Sequence, residues 1–239
     1  MEYFIFYMMF SIVTASFCVS CVTTGVQEKD KRAEAYYRLG VAKLNENDIQ
    51  GAFVELKRAL EIDSSYKEAY NALGLVYLHL DNYEGAKESF KKAINVDPSY
   101  SEAYNNLGLT YAKLNQWKLS EKAFTSALAN PLYATPDKAC NNLGFSLYRQ
   151  GKYDEALAAF KSSLKRNPSG YSPYYGLALS YNTLGRYGEA SEFLTEAIKH
   201  DPNFNGDFKK AHDTFVERKR KASGPEEKDN VDFLEIMNY

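Results

Sequence analysis

The chain has 239 residues, of which 45% are apolar, 25% charged and 15% aromatic, and its formal net charge is −2. This balance suits an ordinary globular chain. With no basic excess, nucleic acid is excluded as an expected partner.

Residues Tyr3 to Phe17 are almost wholly apolar and carry no charge. The stretch is short for a membrane span and has the length of a secretory apolar region. It ends in Cys18-Val19-Ser20-Cys21, which resembles the cleavage motif of signal peptidase II substrates. The resemblance implies a lipoprotein signal peptide over residues 1–20 and a lipid anchor on Cys21, at the start of a tether over residues 21–32. Cys18 stands where Leu is usual, and the leading residues hold Glu2 but no Lys or Arg. The alternative is an uncleaved anchor, since Tyr3 to Val22 spans about 20 residues, enough to reach across a bilayer. Val22 stands where an Asp would signal retention at the inner membrane. The expected location is therefore the bacterial outer membrane, facing the periplasm, with inner-membrane anchoring as the alternative. Of the three cysteines, Cys18 falls in the signal peptide and Cys21 is the expected lipid acceptor, which leaves Cys140 alone, at a repeat position that suits a small core residue.

A 34-residue period follows. The pairs Leu39-Gly40, Leu73-Gly74, Leu107-Gly108, Leu143-Gly144 and Leu177-Ala178 are spaced by 34, 34, 36 and 34 residues. The frame gives repeats over residues 33–66, 67–100, 101–136, 137–170 and 171–204. Position 24 of each holds Leu56, Phe90, Phe124, Phe160 or Leu194, and position 27 holds Ala59, Ala93, Ala127, Ser163 or Ala197. Large residues there fill the space between two helices, while small ones at positions 8, 20 and 27 let the backbones approach. Pro98, Pro168 and Pro202 follow the second helix, where a helix must stop. The pattern resembles the tetratricopeptide repeat. It implies an all-α, right-handed superhelix of five helical hairpins plus a C-terminal capping helix, an architecture that binds proteins.

In such a solenoid the first helix of each repeat lines the concave face, through positions 2, 5, 9 and 12 of one helical stripe. The candidate groove residues are Tyr37, Asn71, Leu75, Asn105, Leu109, Asn141, Phe145, Tyr148, Tyr175 and Leu179. Asparagine offers both a donor and an acceptor, so a row of them can grip a peptide backbone while the apolar row takes side chains. The competing reading is structural: Asn106 and Asn142 tie neighbouring helices, and the apolar row belongs to the core. The Lys and Arg ladder of a carboxylate clamp is missing, since position 2 holds Glu34, Glu68, Glu102, Lys138 and Ser172.

Residues 205–222 read as the capping helix, with an apolar stripe of Phe208, Ala211 and Phe215. Its end, Arg218-Lys219-Arg220-Lys221, complements a helix dipole. After the break at Ser223-Gly224-Pro225, residues 223–239 form an acidic tail that either stays disordered or docks back on the solenoid.

No catalytic inventory accompanies these elements. His79, His200 and His212 belong to different repeats and lack metal-ligand spacing, and neither a phosphate loop nor a G-x-S-x-G elbow occurs. No enzyme activity, cofactor, metal or small-molecule substrate is expected. Where the period stretches by two residues, the segment Pro131-Leu132-Tyr133-Ala134-Thr135-Pro136, followed by Asn142-Leu143-Gly144, resembles the type IV pilus biogenesis and stability lipoproteins of the PilF/PilW group. The resemblance implies a pilotin that helps a secretin subunit reach the outer membrane and assemble there. That family has six repeats where this chain has five and a half. The other expectation is a repeat lipoprotein that recruits cell-wall enzymes or outer-membrane assembly factors.

Overall fold

Each repeat of the frame becomes two antiparallel helices, and the reason is visible at its turn. Position 15 is occupied in turn by Asn47, Asp81, Asn115, Gly151 and Gly185, and all five have positive φ, from 52° to 76°. The amide of the next residue reaches back to the carbonyl at position 11, as in Asn82 to Tyr77 at 2.9 Å and Gln116 to Tyr111 at 2.9 Å. This left-handed closure satisfies carbonyls that the helix end would otherwise orphan. Asp48 and Asn82 then cap the following helix by accepting from the amides of Gly51 and Gly85.

The computed structural model describes residues 31–239, which are helical throughout apart from turns and short connections. They divide into two compact units between Pro98 and Ser99. The first contains α1 (residues 31–45), α2 (Ile49–Ile62), α3 (Lys67–His79) and α4 (Tyr83–Val96). The second contains α5 (Ser101–Lys113), α6 (Trp117–Leu128), α7 (Pro136–Tyr148), α8 (Tyr153–Arg166), α9 (Ser172–Thr183), α10 (Tyr187–His200), α11 (Phe208–Lys221) and α12 (Pro225–Ile236). The fold is an all-α solenoid of helical hairpins. The leader, Cys21 and most of the expected tether lie outside the described residues.

Inside each hairpin, the position 24 side chain is the keystone. Phe90, Phe124 and Phe160 are fully buried, and each ring lies against the glycine at position 8 of the partner helix. A Cβ on Gly74 would stand 2.4 Å from Phe90, and one on Gly108 would stand 2.6 Å from Phe124. Only glycine lets the two backbones close over an aromatic ring. Cys140 is buried as well, with its sulfur 3.7 Å from the Ser162 hydroxyl.

The two-residue insertion keeps the packing. Tyr133 turns inward against Ala127 and Ala139, while Leu132 is 89% exposed. Asn130 holds the loop: its Oδ1 accepts from the Leu132 amide and its Nδ2 donates to the Ser99 carbonyl.

Residues 223–239 contain a further helix, α12, which packs on the repeats. Pro225 at its first turn and Glu226 and Glu227 beside it suit a helix N-terminus.

Candidate peptide-binding groove

Helices α5 and α7 carry the asparagine row. Asn142 donates from Nδ2 to Oδ1 of Asn105 at 3.3 Å, so it ties α7 to α5, as the structural reading holds. Asn141 reaches Asn142 through a long 3.5 Å contact from its Nδ2, and its Oδ1 is buried without a hydrogen-bond partner among the described residues. A buried amide oxygen left in this state costs about 1–3 kcal/mol, which an incoming N–H would recover.

These side chains line a cavity of about 360 Å³, which Leu109, Lys138, Tyr171 and Pro173 also border. Leu109 is 37% exposed within it. The polar side is held in place: Asn167 donates to Asp137 at 3.1 Å, and Ser163 donates to the Asp137 carbonyl at 2.8 Å. An apolar floor thus stands beside a row of amides, one of whose oxygens, Oδ1 of Asn141, has no partner among the described residues, a combination that fits an extended peptide.

Only three of the ten predicted groove residues, Asn105, Leu109 and Asn141, meet in this cavity. Phe145 turns edge-on to Phe160 at 5.0 Å and is half-buried in the core. Tyr148 and Leu179, expected in the groove, are buried. Tyr175 is covered by Phe215 and Phe233, with ring centroids at 6.3 and 5.3 Å, and its hydroxyl donates to Asp201. The cause is α11 and α12, which occupy the face that the repeat frame leaves open. Burial, followed by the nearby Asp201 carboxylate, raises the Tyr175 phenol above its ordinary range, so it remains a neutral donor.

In the first unit, Tyr37, Asn71 and Leu75 are each half-buried. Tyr37 rests against Tyr66 at 5.0 Å, and burial, together with Glu68, pushes the Tyr66 phenol up to about 12. Among the cavity-lining residues that the frame did not select are Asn142, Lys138, Tyr171 and Pro173. Tyr171 and Pro173 sit at positions 1 and 3, where the start of a helix faces the preceding repeat. Among the described residues, no group of three His, Cys, Asp or Glu side chains stands together to hold a metal, and no helix is long and apolar enough to cross a membrane.

Residues 33–66 and 141–203 match the family described as tetratricopeptide repeat, and residues 78–115 match that described as TPR repeat. The chain is a tetratricopeptide-repeat protein. A 61-residue stretch of this repeat protein, 25% of its length, is 39% identical to intraflagellar transport protein 70A of Bos taurus, and spans 9% of that relative. Among solved structures, the repeat protein is similar to pilF of Pseudomonas aeruginosa, with 22% identity over 88% of this chain and 99% of that one, at a TM-score of 0.68. PilW, described as a widely conserved type IV pilus biogenesis factor, gives 22% identity, 87% and 98% coverage and a TM-score of 0.65. YrrB, described as a TPR protein with an unusual peptide-binding site, gives 26% identity, 80% and 96% coverage and a TM-score of 0.62. At 22% identity the likeness to the two pilus proteins is one of fold. The protein is a scaffold for protein–protein interaction.

Proposed function

We propose that this repeat protein is a lipid-anchored periplasmic scaffold whose second unit grips an extended segment of a secretin subunit during type IV pilus assembly. The observation that carries the binding role is the cavity where Asn105, Leu109 and Asn141 meet, with the Asn141 oxygen unpartnered. The fold likeness to PilW and pilF and the Pro131–Pro136 insertion support the pilus role. The Val19-Ser20-Cys21 motif supports the anchor.

The double substitution Asn105→Ala with Leu109→Asp tests the groove. Placing a carboxylate beside the apolar floor leaves a charge unpaired when an apolar segment docks. Cells with this variant are expected to export secretin monomers, to build few heat-resistant multimers and to display fewer pili, while circular dichroism stays helical. Normal multimers with the folded variant, but not with a full deletion, would reject the groove. Normal multimers in the deletion as well would reject the pilus role. For the anchor, radiolabelled palmitate is expected to disappear in Cys21→Ser and to persist in Cys18→Ser, and label retained in Cys21→Ser would refute it.

A further inference from the structure

The C-terminal helix α12 lies on the surface that the concave stripe of the fourth and fifth repeats would otherwise present. Arg149, at the end of α7, makes a two-pronged ion pair with Asp229, and each side chain is only 15% exposed. Four residues on, Phe233 covers Tyr175 at 5.3 Å. Three further on, Ile236 is fully buried in the same cluster as Leu179 and Leu194. At the chain end, Tyr239 rests on Tyr187 at 4.7 Å and donates to Asn182 at 3.2 Å. Spacings of four and seven residues define one helical face. In this chain that face sits in a groove, as a docked partner helix would.

The connection that leads into α12 is short. The helix follows a three-residue connection, Ala222 to Gly224, with Gly224 in the left-handed region at φ 62°, and among the described residues no side chain caps its first turn. Burial pushes the Asp229 carboxyl upward against the pull of Arg149. A desolvated ion pair of this kind selects a partner's geometry more than it adds stability.

We propose that α12 is a built-in occupant of a second binding site, and that this site receives a helix from a protein partner with the same side-chain pattern. The pattern is a carboxylate, an aromatic ring four residues later and an aliphatic residue three after that. Arg149 reads the carboxylate, Tyr175 the ring, and the Leu194 cluster the aliphatic side chain. Because α12 is tethered, it competes at an effective concentration on the order of millimolar, so a partner helix of equal intrinsic affinity is held off below that concentration, and one that binds more tightly, or that meets the site when α12 is drawn away, engages. The site is separate from the asparagine-lined cavity and does not depend on the pilus reading.

The probe is a fluorescein-labelled synthetic peptide of residues 224–239, and the readout is anisotropy with the full chain. Asp229→Lys with Phe233→Ala loosens α12 and leaves the groove intact. This variant is expected to bind the peptide at least tenfold more tightly than the unaltered chain does. Adding Arg149→Ala is expected to cancel most of the gain. Equal binding by variant and unaltered chain overturns the proposal. So does a variant whose α9 and α10 lose their helical signal, because α12 would then be an integral part of the repeat stack. Hydrogen exchange on the unaltered chain supplies an independent measure: α12 amides are expected to exchange at least tenfold faster than those of α9. Exchange of both in one cooperative step overturns the proposal. A dimer seen by light scattering with α12 exchanged between copies makes a second copy the occupant and likewise overturns it.

Discussion

At the scale of single residues, the contact between positions 8 and 24 sets the tolerance of each hairpin. A methyl group added at Gly108 would stand 2.6 Å from the Phe124 ring, which is itself fully enclosed. Replacing Gly by Ala inside a helix stabilises by about 1 kcal/mol, whereas overpacking costs about 1–3 kcal/mol, so the steric effect wins. Gly108→Ala is therefore expected to lower the melting temperature. Phe124→Leu should relieve much of that loss when the two are combined, because the fifth repeat already pairs Ala178 with Leu194, both buried. A double-mutant cycle on thermal melts measures the coupling, and additivity would show that the two side chains do not meet. Ala93 and Ala127 are likewise fully buried where helices approach, so Ala93→Leu or Ala127→Leu should destabilise by roughly 1–3 kcal/mol, read in the same melts.

At the scale of elements, the turn between paired helices depends on one left-handed residue. Asn115 has φ 56°, and its neighbour Gln116 closes the helix end by donating to Tyr111 at 2.9 Å. A β-branched residue pays about 1–2 kcal/mol in that conformation. Asn115→Val should destabilise by that amount in denaturant titration, and Asn115→Gly should be neutral or slightly stabilising. An equal effect of the two would mean the turn changes conformation. Between hairpins, Glu121 of α6 accepts from Lys152 and from Gln150 at 2.8 Å. Although burial raises its pKa, the bonds from Lys152 and Gln150 win and hold it below the ordinary 4.5. A depressed carboxylate contributes stability that is complete above its unfolded pKa and lost as pH falls through the folded one. The melting temperature of the unaltered chain should thus fall more steeply below about pH 4.5 than that of Glu121→Gln. Parallel curves would show the cluster is electrostatically silent.

At the scale of the whole molecule, the described residues form two units, and the second offers two surfaces of different chemistry. The cavity at Asn105 and Asn141 is open and lined with amides. The surface at Tyr148, Tyr175 and Leu179 is closed by the chain's own C-terminal helices. Position in the repeat therefore does not decide what is available for binding. Leu109 and Leu179 share position 9, yet one is 37% exposed and the other 1%. An Asn105→Ala and Leu109→Asp variant should consequently leave binding of the 224–239 peptide unchanged in the loosened chain, and any loss there would show the two surfaces act as one.

The sequence by itself determined the hairpins and their core. The period repeats every side chain that holds a hairpin together, so Gly108, Phe124 and Ala127 can be placed from local spacing alone. The turns carry a signal that the repeat frame left unused, since Asn, Asp or Gly recurs at position 15. The asparagine row was visible, but not which amide would stay unpartnered, because that depends on how Asn141, Asn142 and Asn105 share bonds across two helices. Only the tertiary structure decided the fate of the C-terminus. The contacts that hold α12 join residues 80 positions apart, in Arg149 and Asp229, and 57 apart, in Asn182 and Tyr239. They occur once, outside the repeat, and no periodicity encodes them.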